Sequence, residues 1–273
     1  MNKLVVLISS YNGEKYIRAL LDSLVNQTNN KFDIYIRDDG STDSTIKILE
    51  DEYSNRVKLI KGDNIGSKAS FYELVSLADN YEYYMFCDQD EIWEKYKVEV
   101  SLQALNDLDN SKPAMIYSDS LVVDSDLNVI SDSFIKYQKL PPKIVNNWKN
   151  LVAQNVVQGC TICFNQETRK LFLDRKTDIV HHDHLVAVLT AKNGQVKYIN
   201  KALVKYRQHT GNVLGSLNFN LRYVFNKILK IKDFFEQERQ VAEFYEYSLL
   251  PLLIRKFFIG IYRFLYKGEE HDN

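Results

Sequence analysis

The stretch LVVLISSYNG, residues 4–13, decides the fold. Its first five residues are apolar and three of them are β-branched, and the run stops at polar turn residues, as in a buried strand. Beyond it, apolar side chains recur with helical spacing at Ile17, Leu20, Leu21, Leu24 and Val25. A second apolar run then begins at Phe32, so the chain opens with the strand, helix and strand of a βαβ unit.

The same alternation continues as far as residue 112 and predicts an α/β fold with a mostly parallel central sheet flanked by helices. In such sheets ligands bind beyond the carboxyl ends of the strands. The predicted strands are Leu4–Ile8, Phe32–Arg37, Val57–Lys61 and Tyr83–Cys87, and the predicted helices are 17–25, Asp43–Tyr53 and Ser70–Ala78.

The pattern loosens at Pro113, and we predict two halves, 1–112 and 113–215, followed by a helical extension, 216–273. In the second half, apolar runs at 115–119, 160–164 and 196–199 accompany a helix that begins near Asp183. Within the extension, residues 217–267 mix apolar residues with lysine and arginine. This composition fits either a helical pair with a basic outer face or peripheral contact with a membrane. Charges interrupt residues 249–265, so no transmembrane span is expected there.

Composition narrows the class of protein and its setting. Lys and Arg total 35 against 36 Asp and Glu, a net charge of -1, which argues against nucleic-acid binding driven by bulk charge. The opening apolar run is too short for the core of a signal peptide, so we expect no secretion. The three cysteines cannot all pair, and they fit a reduced, cytoplasmic setting. Cys160 and Cys163 form a CxxC, but no second pair completes a zinc site.

Polar clusters follow all four predicted strands of the first half. They are SSYNG at 9–13, DDGSTD at 38–43, DNIG at 63–66 and DQD at 88–90. Each has an ordinary explanation as a turn or a helix cap. Because the four meet at one edge of the predicted sheet, together they predict a ligand site.

Asp88 and Asp90 are the strongest candidates for a functional role in this set. Two carboxylates two residues apart on an extended segment can approach one hard cation and the phosphate oxygens that it carries. The sequence therefore predicts a Mn²⁺ or Mg²⁺ site at Asp90, with a solvated acidic loop as the alternative.

The strand followed by SYNG, then DDGSTD, NxG and a DxD after the fourth strand, resembles family-2 glycosyltransferases with the A-type nucleotide-sugar fold, over residues 3 to 215. The segments CDQDEIW, HHDHL and YRQHTGN are similar to the rhamnosyltransferase-like branch of that family. The resemblance implies that Ser9 and Tyr11 touch the nucleoside, Asp39 bonds the pyrimidine, Asp88 lies by the ribose and Asp90 binds the metal. It makes 1–112 the nucleotide-sugar half and 113–215 the acceptor half.

By the same resemblance, Asp183 is the catalytic base. An inverting transfer needs one carboxylate to take the proton of the attacking hydroxyl. The alternative is a helix N-cap, which does not exclude catalysis. His181, His182 and His184 surround Asp183, and the sequence leaves open which of them faces the site or whether they form a metal site.

Four more residues are candidates for the donor site. Arg207 and His209 follow the last predicted strand, where a returning loop would neutralise the diphosphate, and His209 is a candidate metal ligand. Lys68 follows the NxG turn and Gln89 lies within the DxD, and both are candidates for the nucleotide. Solvation or packing is the alternative for Arg207, His209 and Lys68.

Two departures from the branch pattern bear on specificity. Glu91 replaces a second Asp, and His184-Leu185 replace an aromatic pair, so the sugar transferred is open. The expected activity is inverting transfer of rhamnose or another hexose or deoxyhexose from a dTDP- or UDP-sugar to a saccharide hydroxyl. The acceptor is expected to be lipid-linked, with the enzyme at the inner membrane face.

Rival functions have weaker support. A nucleotidyltransferase would need a Gly-rich basic loop after the first strand, and a nicotinamide dehydrogenase would need GxGxxG there. A non-catalytic scaffold of the same fold is opposed by the joint presence of Asp39, Asp88, Asp90 and Asp183.

Overall fold

The structure, a computed structural model, describes residues 3–208 and 231–266. The strands are β1 Leu4–Ser10, β2 Asp33–Asp38, β3 Val57–Lys61, β4 Tyr83–Asp88, β5 Ile92–Trp93, β6 Ala114–Val123, β7 Val129–Ser131, β8 Ile162–Asn165 and β9 Gln195–Arg207. The helices are α1 Ile17–Val25, α2 Thr45–Tyr53, α3 Gly66–Leu77, α4 Lys97–Asn106, α5 Phe134–Tyr137, α6 Trp148–Ala153, α7 Gln166–Asp174, α8 His182–Asn193, α9 Ile231–Phe244 and α10 Leu249–Leu265. Two 3-10 helices cover Pro142–Asn146 and Gly159–Thr161.

All these strands join one sheet in the order β3-β2-β1-β4-β8-β6-β9-β5, with β7 paired to β6. Strands β1 to β4 are parallel. β8 runs antiparallel to both β4 and β6, and β6 is parallel to β9, so β6 and β9 point the same way as β1. The prediction of a mostly parallel α/β sheet is therefore confirmed, with β5, β7 and β8 reversed.

Helices cover both faces of the sheet, which is why β1 is a continuous apolar run rather than an alternating one. Val5 and Leu7 pack into a core shared with α3, α6, α7 and α8. Val6 and Ile8 pack on the opposite face into a core shared with α1, α2 and α4. The three cysteines are buried within the second core and carry free thiols.

The observed elements extend the sequence prediction. Strands β1 to β4 and helices α1 to α3 lie close to the predicted bounds, whereas α4 to α7 were not predicted. The run at 115–119 is part of the longer strand β6, and the run at 196–199 is part of β9. Both predicted halves contribute strands to the one sheet, because β6, β8 and β9 continue what β1 to β4 begin.

The described part of the extension is the helix pair α9 and α10. Over residues 3–208 and 231–266, no helix combines the length and the apolar character that crossing a membrane requires. Arg255 and Arg263 of α10 bond to the body of the protein. The interpretation with a basic outer face is therefore wrong for α10.

Gly194 ends α8 where the chain turns into β9, and it provides a test of this packing. A Cβ added there would overlap the carbonyl oxygen of Pro113, a backbone atom that also accepts the Gln195 amide at 2.9 Å. We expect Gly194→Ala to lower the free energy of unfolding by about 2 kcal/mol, because neither atom can yield without shifting the backbone. Urea denaturation measures the change.

Gly260 offers the matched control, since it lies inside α10 with no atom within 4 Å of an added Cβ. Gly260→Ala is expected to raise the free energy of unfolding by about 0.5–1 kcal/mol through helix propensity alone. Equal stability of Gly194→Ala and the unmodified protein would contradict the packing described for the start of β9.

Candidate functional site

The parallel register brings the predicted clusters to one edge of the sheet. Ser9 of β1 lies opposite Arg37 of β2 on one side and Asp88 of β4 on the other. Ser10 lies opposite Asp38 and donates a hydrogen bond from its hydroxyl to the Asp38 carboxylate at 2.6 Å. The segments after β1, β2 and β4 therefore start from the same level of the sheet.

The loops after β1 and β2 form one hydrogen-bonded unit. The Asn12 amide donates to the Ser41 hydroxyl at 2.8 Å, and the Asn12 side-chain oxygen accepts from the Thr42 amide at 2.9 Å. The Gly13 amide donates to the Thr45 hydroxyl at 2.8 Å, at the start of α2. SSYNG and DDGSTD thus hold each other in place, with Tyr11 exposed beside them.

Gln89 braces this unit from β4. Its side-chain oxygen accepts from the Tyr11 amide at 3.0 Å, and its side-chain nitrogen donates to the Tyr11 carbonyl at 2.9 Å. A Cβ at residue 13 would overlap the Gln89 oxygen, so a larger residue there would displace the Gln89 side chain from Tyr11. Gln89 therefore positions the backbone of Tyr11.

Asp39 is buried at the floor of the site. Its carboxylate forms an ion pair with Arg37 and accepts the Ile65 amide at 3.2 Å. Arg37 also donates to Glu73 of α3 at 2.8 Å. Asp39 therefore links the loop after β2 to the turn after β3, within the predicted nucleoside region.

Asp88, Asp90 and Glu91 form an acidic cluster at the end of β4. Burial, then the charges of Asp90 and Asp183, raise the pKa of Asp88 to about 7. Glu91 is 1% exposed, and burial followed by the charges of Asp90 and Asp88 raises its pKa well above the ordinary value. One Glu91 oxygen has no hydrogen-bond partner among the described residues. Carboxylates held this close would be stabilised by a cation.

The donor atoms of the cluster suit a hard divalent cation. Ligand atoms of Asp88, Glu91 and Cys160 lie within 4.8 Å of one another. The Cys160 sulfur is a soft donor, which Mn²⁺ and Mg²⁺ do not favour. The carboxylate oxygens are the ligands that remain, and Mn²⁺ and Mg²⁺ prefer oxygen.

Asp183 lies in the first turn of α8 and is 9% exposed. Burial raises its pKa, while the His184 amide at 2.7 Å, the nearby His181 and the Asn155 side chain at 3.1 Å favour its charged form. The N-cap position is taken by His181. Asp183 lies next to Gly159, and the neighbouring Cys160 groups with Asp88 and Glu91, so Asp183 lies near the acidic cluster.

The structure also separates the three histidines. His182 stacks on Phe71 with ring centroids 4.1 Å apart, and burial lowers its pKa to about 3. A ring nitrogen of His184 lies 2.8 Å from the Leu151 carbonyl, and burial lowers its pKa to about 4. His181 is the histidine whose charge acts on Asp183. Within the described residues, the three histidines form no metal-binding group.

Arg207 and Lys68 each donate a hydrogen bond to a backbone carbonyl. The Arg207 guanidinium donates to the Asp90 carbonyl at 3.0 Å and lies over the Tyr16 ring, 4.7 Å from its centroid. Lys68 donates to the Asp178 carbonyl at 2.6 Å and so ties α3 to the loop before α8. His209 lies outside the described residues.

Two residues near Asp183 were missed in the sequence. Asn155 lies 28 positions before Asp183, and no motif marks it. Tyr245 follows α9, and burial and then the charge of Asp183 raise the pKa of its hydroxyl. Only the folded chain brings either residue near α8, and the Tyr245 ring, 5.9 Å from that of His184 between centroids, shows that the extension packs beside this helix.

A sheet of this order, with an acidic cluster at the end of β4 and a carboxylate at the start of α8, defines the class of A-type glycosyltransferases. Comparison with known sequences identifies the family within this class. The model of the family described as "Glycosyl transferase family 2" matches residues 5–172, and the chain belongs to this family. It is 29% identical over 244 residues to the dTDP-rhamnosyl transferase RfbG of Shigella flexneri, covering 79% of this chain and 76% of RfbG.

Solved structures share the fold at low sequence identity. Staphylococcus aureus TarS (residues 1–349) in complex with UDP-GlcNAc superposes with a TM-score of 0.62 at 19% identity, covering 89% of this chain and 66% of that one. The mannosyltransferase PcManGT of Pyrobaculum calidifontis, in complex with GDP-Man and Mn²⁺, has a TM-score of 0.57 at 13% identity, covering 89% and 64%. The chain thus spans just under two thirds of both structures.

Asn155 provides a test of the Asp183 environment. Asn155→Asp keeps the oxygen that accepts the Val157 amide but replaces the donor facing Asp183 with a negative charge. Both changes favour the protonated form of Asp183, whose pKa therefore rises further. Since a base must be deprotonated to act, the acid limb of the kcat/KM profile is expected to move to higher pH. The measurement is the kcat/KM of donor turnover over a range of pH, which gives the position of the acid limb.

The exposed Asn147 is the matched control. Asn147→Asp makes the same charge change while keeping the side-chain acceptor that caps α6, so its profile should match that of the unmodified protein. If the acid limb of the kcat/KM profile stays in place in Asn155→Asp, Asn155 does not control the pKa of Asp183.

Proposed function

We propose that this chain is an inverting, metal-dependent glycosyltransferase that moves a hexose or deoxyhexose from a dTDP- or UDP-sugar to a saccharide hydroxyl. The product would be a bacterial cell-surface polysaccharide or glycoconjugate. The observation that carries the proposal is the acidic cluster at the end of β4 with Asp183 nearby, because Cys160 groups with Asp88 and Glu91 while the adjacent Gly159 packs against Asp183.

The donor side draws on residues at the ends of β1, β2 and β4. Ser9 and Tyr11 would contact the nucleoside, Asp39 the pyrimidine ring, and Asp88 the ribose. RfbG is named for a dTDP-linked donor and TarS is solved with UDP-GlcNAc, so pyrimidine diphosphates are the first donors to test. Lys68 would reach the nucleotide only by giving up its bond to the Asp178 carbonyl.

Asp90 beside Asp88 would hold Mn²⁺ or Mg²⁺, and His209 remains the predicted further ligand. When bound, such an ion neutralises charge on the departing diphosphate. Arg207 fixes the Asp90 backbone through its bond to the carbonyl. The protein would thereby hold the Asp90 carboxylate at the diphosphate.

The acceptor side rests on Asp183. Its raised pKa makes the carboxylate a stronger base than an ordinary Asp, and Asn155 and the His184 amide hold it in one orientation. The carboxylate takes the proton of the acceptor hydroxyl as that oxygen attacks the anomeric carbon, and the diphosphate leaves from the opposite face.

The acceptor we propose is a saccharide, lipid-linked at the cytoplasmic face of the membrane. Residues 1–112 would form the nucleotide-sugar half, 113–215 the acceptor half and 216–273 the extension. Leu185 is buried in the core and His184 packs near Tyr245, with ring centroids 5.9 Å apart. The usual aromatic pair of the branch is thus replaced by packing residues, and the sugars we propose are rhamnose and other hexoses or deoxyhexoses.

The first test is the thermal stability of the purified protein with UDP, dTDP, GDP and their sugar conjugates, with and without Mn²⁺. A ligand of the native state at ~100 times its Kd adds about 2.7 kcal/mol to the free energy of unfolding. We expect a Mn²⁺-dependent rise in Tm with one pyrimidine diphosphate, lost in Asp90→Asn. No shift with any nucleotide would favour the non-catalytic scaffold.

The second test is Asp183→Asn, which keeps the shape of the side chain but cannot accept the proton. We expect sugar transfer to fall at least about 100-fold while the donor-induced Tm shift remains. Asp178→Asn is the matched control, since Asp178 is exposed and bonds Lys68 through its backbone. Unchanged transfer by Asp183→Asn with intact donor binding would exclude Asp183 as the base.

A further inference from the structure

The helix α10 presents large apolar side chains to solvent. Eight of them are between 42% and 79% exposed, and most recur at helical spacing along one side, so they form a continuous strip. We call this strip the α10 outer face; it consists of Leu250, Ile254, Phe257, Phe258, Ile261, Tyr262, Phe264 and Leu265. Monomeric proteins rarely expose so much contiguous apolar surface unless something binds it.

The polar side chains of α10 point the other way, toward the body. Arg255 donates to the Asn150 side chain at 2.6 Å and to the Tyr247 hydroxyl at 2.8 Å. Lys256 pairs with Glu238 at 2.8 Å, and Glu238 is itself buried. The helix therefore packs Leu252 and three basic side chains against the body and leaves most of its large apolar side chains outside, whereas an ordinary surface helix buries its apolar side.

Arg263 fixes the far end of the helix in the same orientation. It donates to the carbonyls of Lys139 and Gln138 at 3.0 and 2.8 Å and to the Gln154 side chain at 2.7 Å. Turning α10 over to bury its apolar side would break these bonds together with those of Arg255 and Lys256. The outward direction of the apolar face is thus specified by directed bonds.

Charge near the outer face favours a lipid surface as its occupant. No acidic residue occurs between Tyr247 and Gly268. Next to the end of α10 lies a cavity of about 670 Å³, lined by Tyr262 and Tyr266 together with Lys136, Lys143 and Lys201. An apolar, aromatic helix face bordered by lysines is typical of helices that lie in the interface of anionic membranes.

Two aspartates also line this cavity. The Asp119 carboxylate accepts the Ser133 hydroxyl at 2.5 Å and three backbone amides, and Asp132 lies 3.9 Å from the Lys136 ammonium. The lysines still outnumber the aspartates, and Asp119 is occupied by its donors. A second copy docked symmetrically on the outer face would bring the same lysines close together, which is unfavourable.

We propose that the α10 outer face lies in the headgroup region of an anionic bilayer, with Lys136, Lys143 and Lys201 at the lipid phosphates. The inference concerns binding to a lipid surface and stands whether or not the chain transfers a sugar.

The test uses the full chain and sedimentation with vesicles of phosphatidylcholine alone or mixed with phosphatidylglycerol. We expect binding to the mixed vesicles at least about tenfold stronger than to phosphatidylcholine alone. The triple variant Phe257→Gln, Phe258→Gln, Phe264→Gln should lose at least about tenfold of that binding, since it removes the most exposed apolar area. Phe235→Gln, at an exposed phenylalanine of α9 outside the strip, should bind as the unmodified protein does.

A second variant separates the charge contribution. Lys136→Gln with Lys143→Gln should reduce binding to the mixed vesicles while leaving the weak binding to phosphatidylcholine unchanged. The substituted side chains are exposed, so Tm should stay unchanged in every variant.

Three results would overturn the proposal. The first is failure of the unmodified protein to bind mixed vesicles. The second is a concentration-dependent dimer in analytical ultracentrifugation that the triple variant abolishes, which would assign the outer face to a second copy. The third is a lowered Tm of the triple variant without any change in vesicle binding, which would assign it to another segment of the same chain.

Discussion

The hydrogen bonding of β1 on both sides by parallel strands is the constraint on which the rest of the structure depends. It aligns Ser9 with Arg37 and Asp88, so the segments after three strands leave the sheet at one level. Parallel neighbours also require crossover helices, and these cover both faces of the strand. In this register the Tyr11 amide donates to the Gln89 side chain and the Ser10 hydroxyl donates to the Asp38 carboxylate.

The site built on that register places several carboxylates close together, and their mutual repulsion is unfavourable. Burial and then the charges of Asp90 and Asp183 raise the pKa of Asp88, and burial and then the charges of Asp90 and Asp88 raise the pKa of Glu91. Such an arrangement costs folding free energy, and chains retain it where chemistry requires it. The supporting bonds are mostly neutral, as with Asn155 and the His184 amide at Asp183, so they orient the carboxylate without cancelling its charge.

The first half of the fold could be predicted because its signals are local. Each of β1 to β4 is a short apolar run that ends in polar turn residues, and α1 shows a clean helical stripe. Helix α4 was missed because its buried side includes Lys97 and Ser101, which hide the apolar period. Lys97 is accommodated over the Trp93 ring, 4.4 Å from the centroid, a contact that no local pattern announces.

The second half depends on contacts between distant residues. Strand β8 inserts antiparallel between β4 and β6, although it follows both in the chain, and nothing in its four residues specifies that place. The candidate base shows the same limit: the DxD and the position of Asp183 could be predicted by resemblance, but its partner Asn155 and its neighbour Tyr245 could not. The composition of α10 indicated an amphipathic helix, yet composition is silent about which side faces out. That direction is decided by where Asn150, Glu238 and the Gln138 carbonyl lie in the folded chain, and these are the acceptors that turn the basic side chains inward.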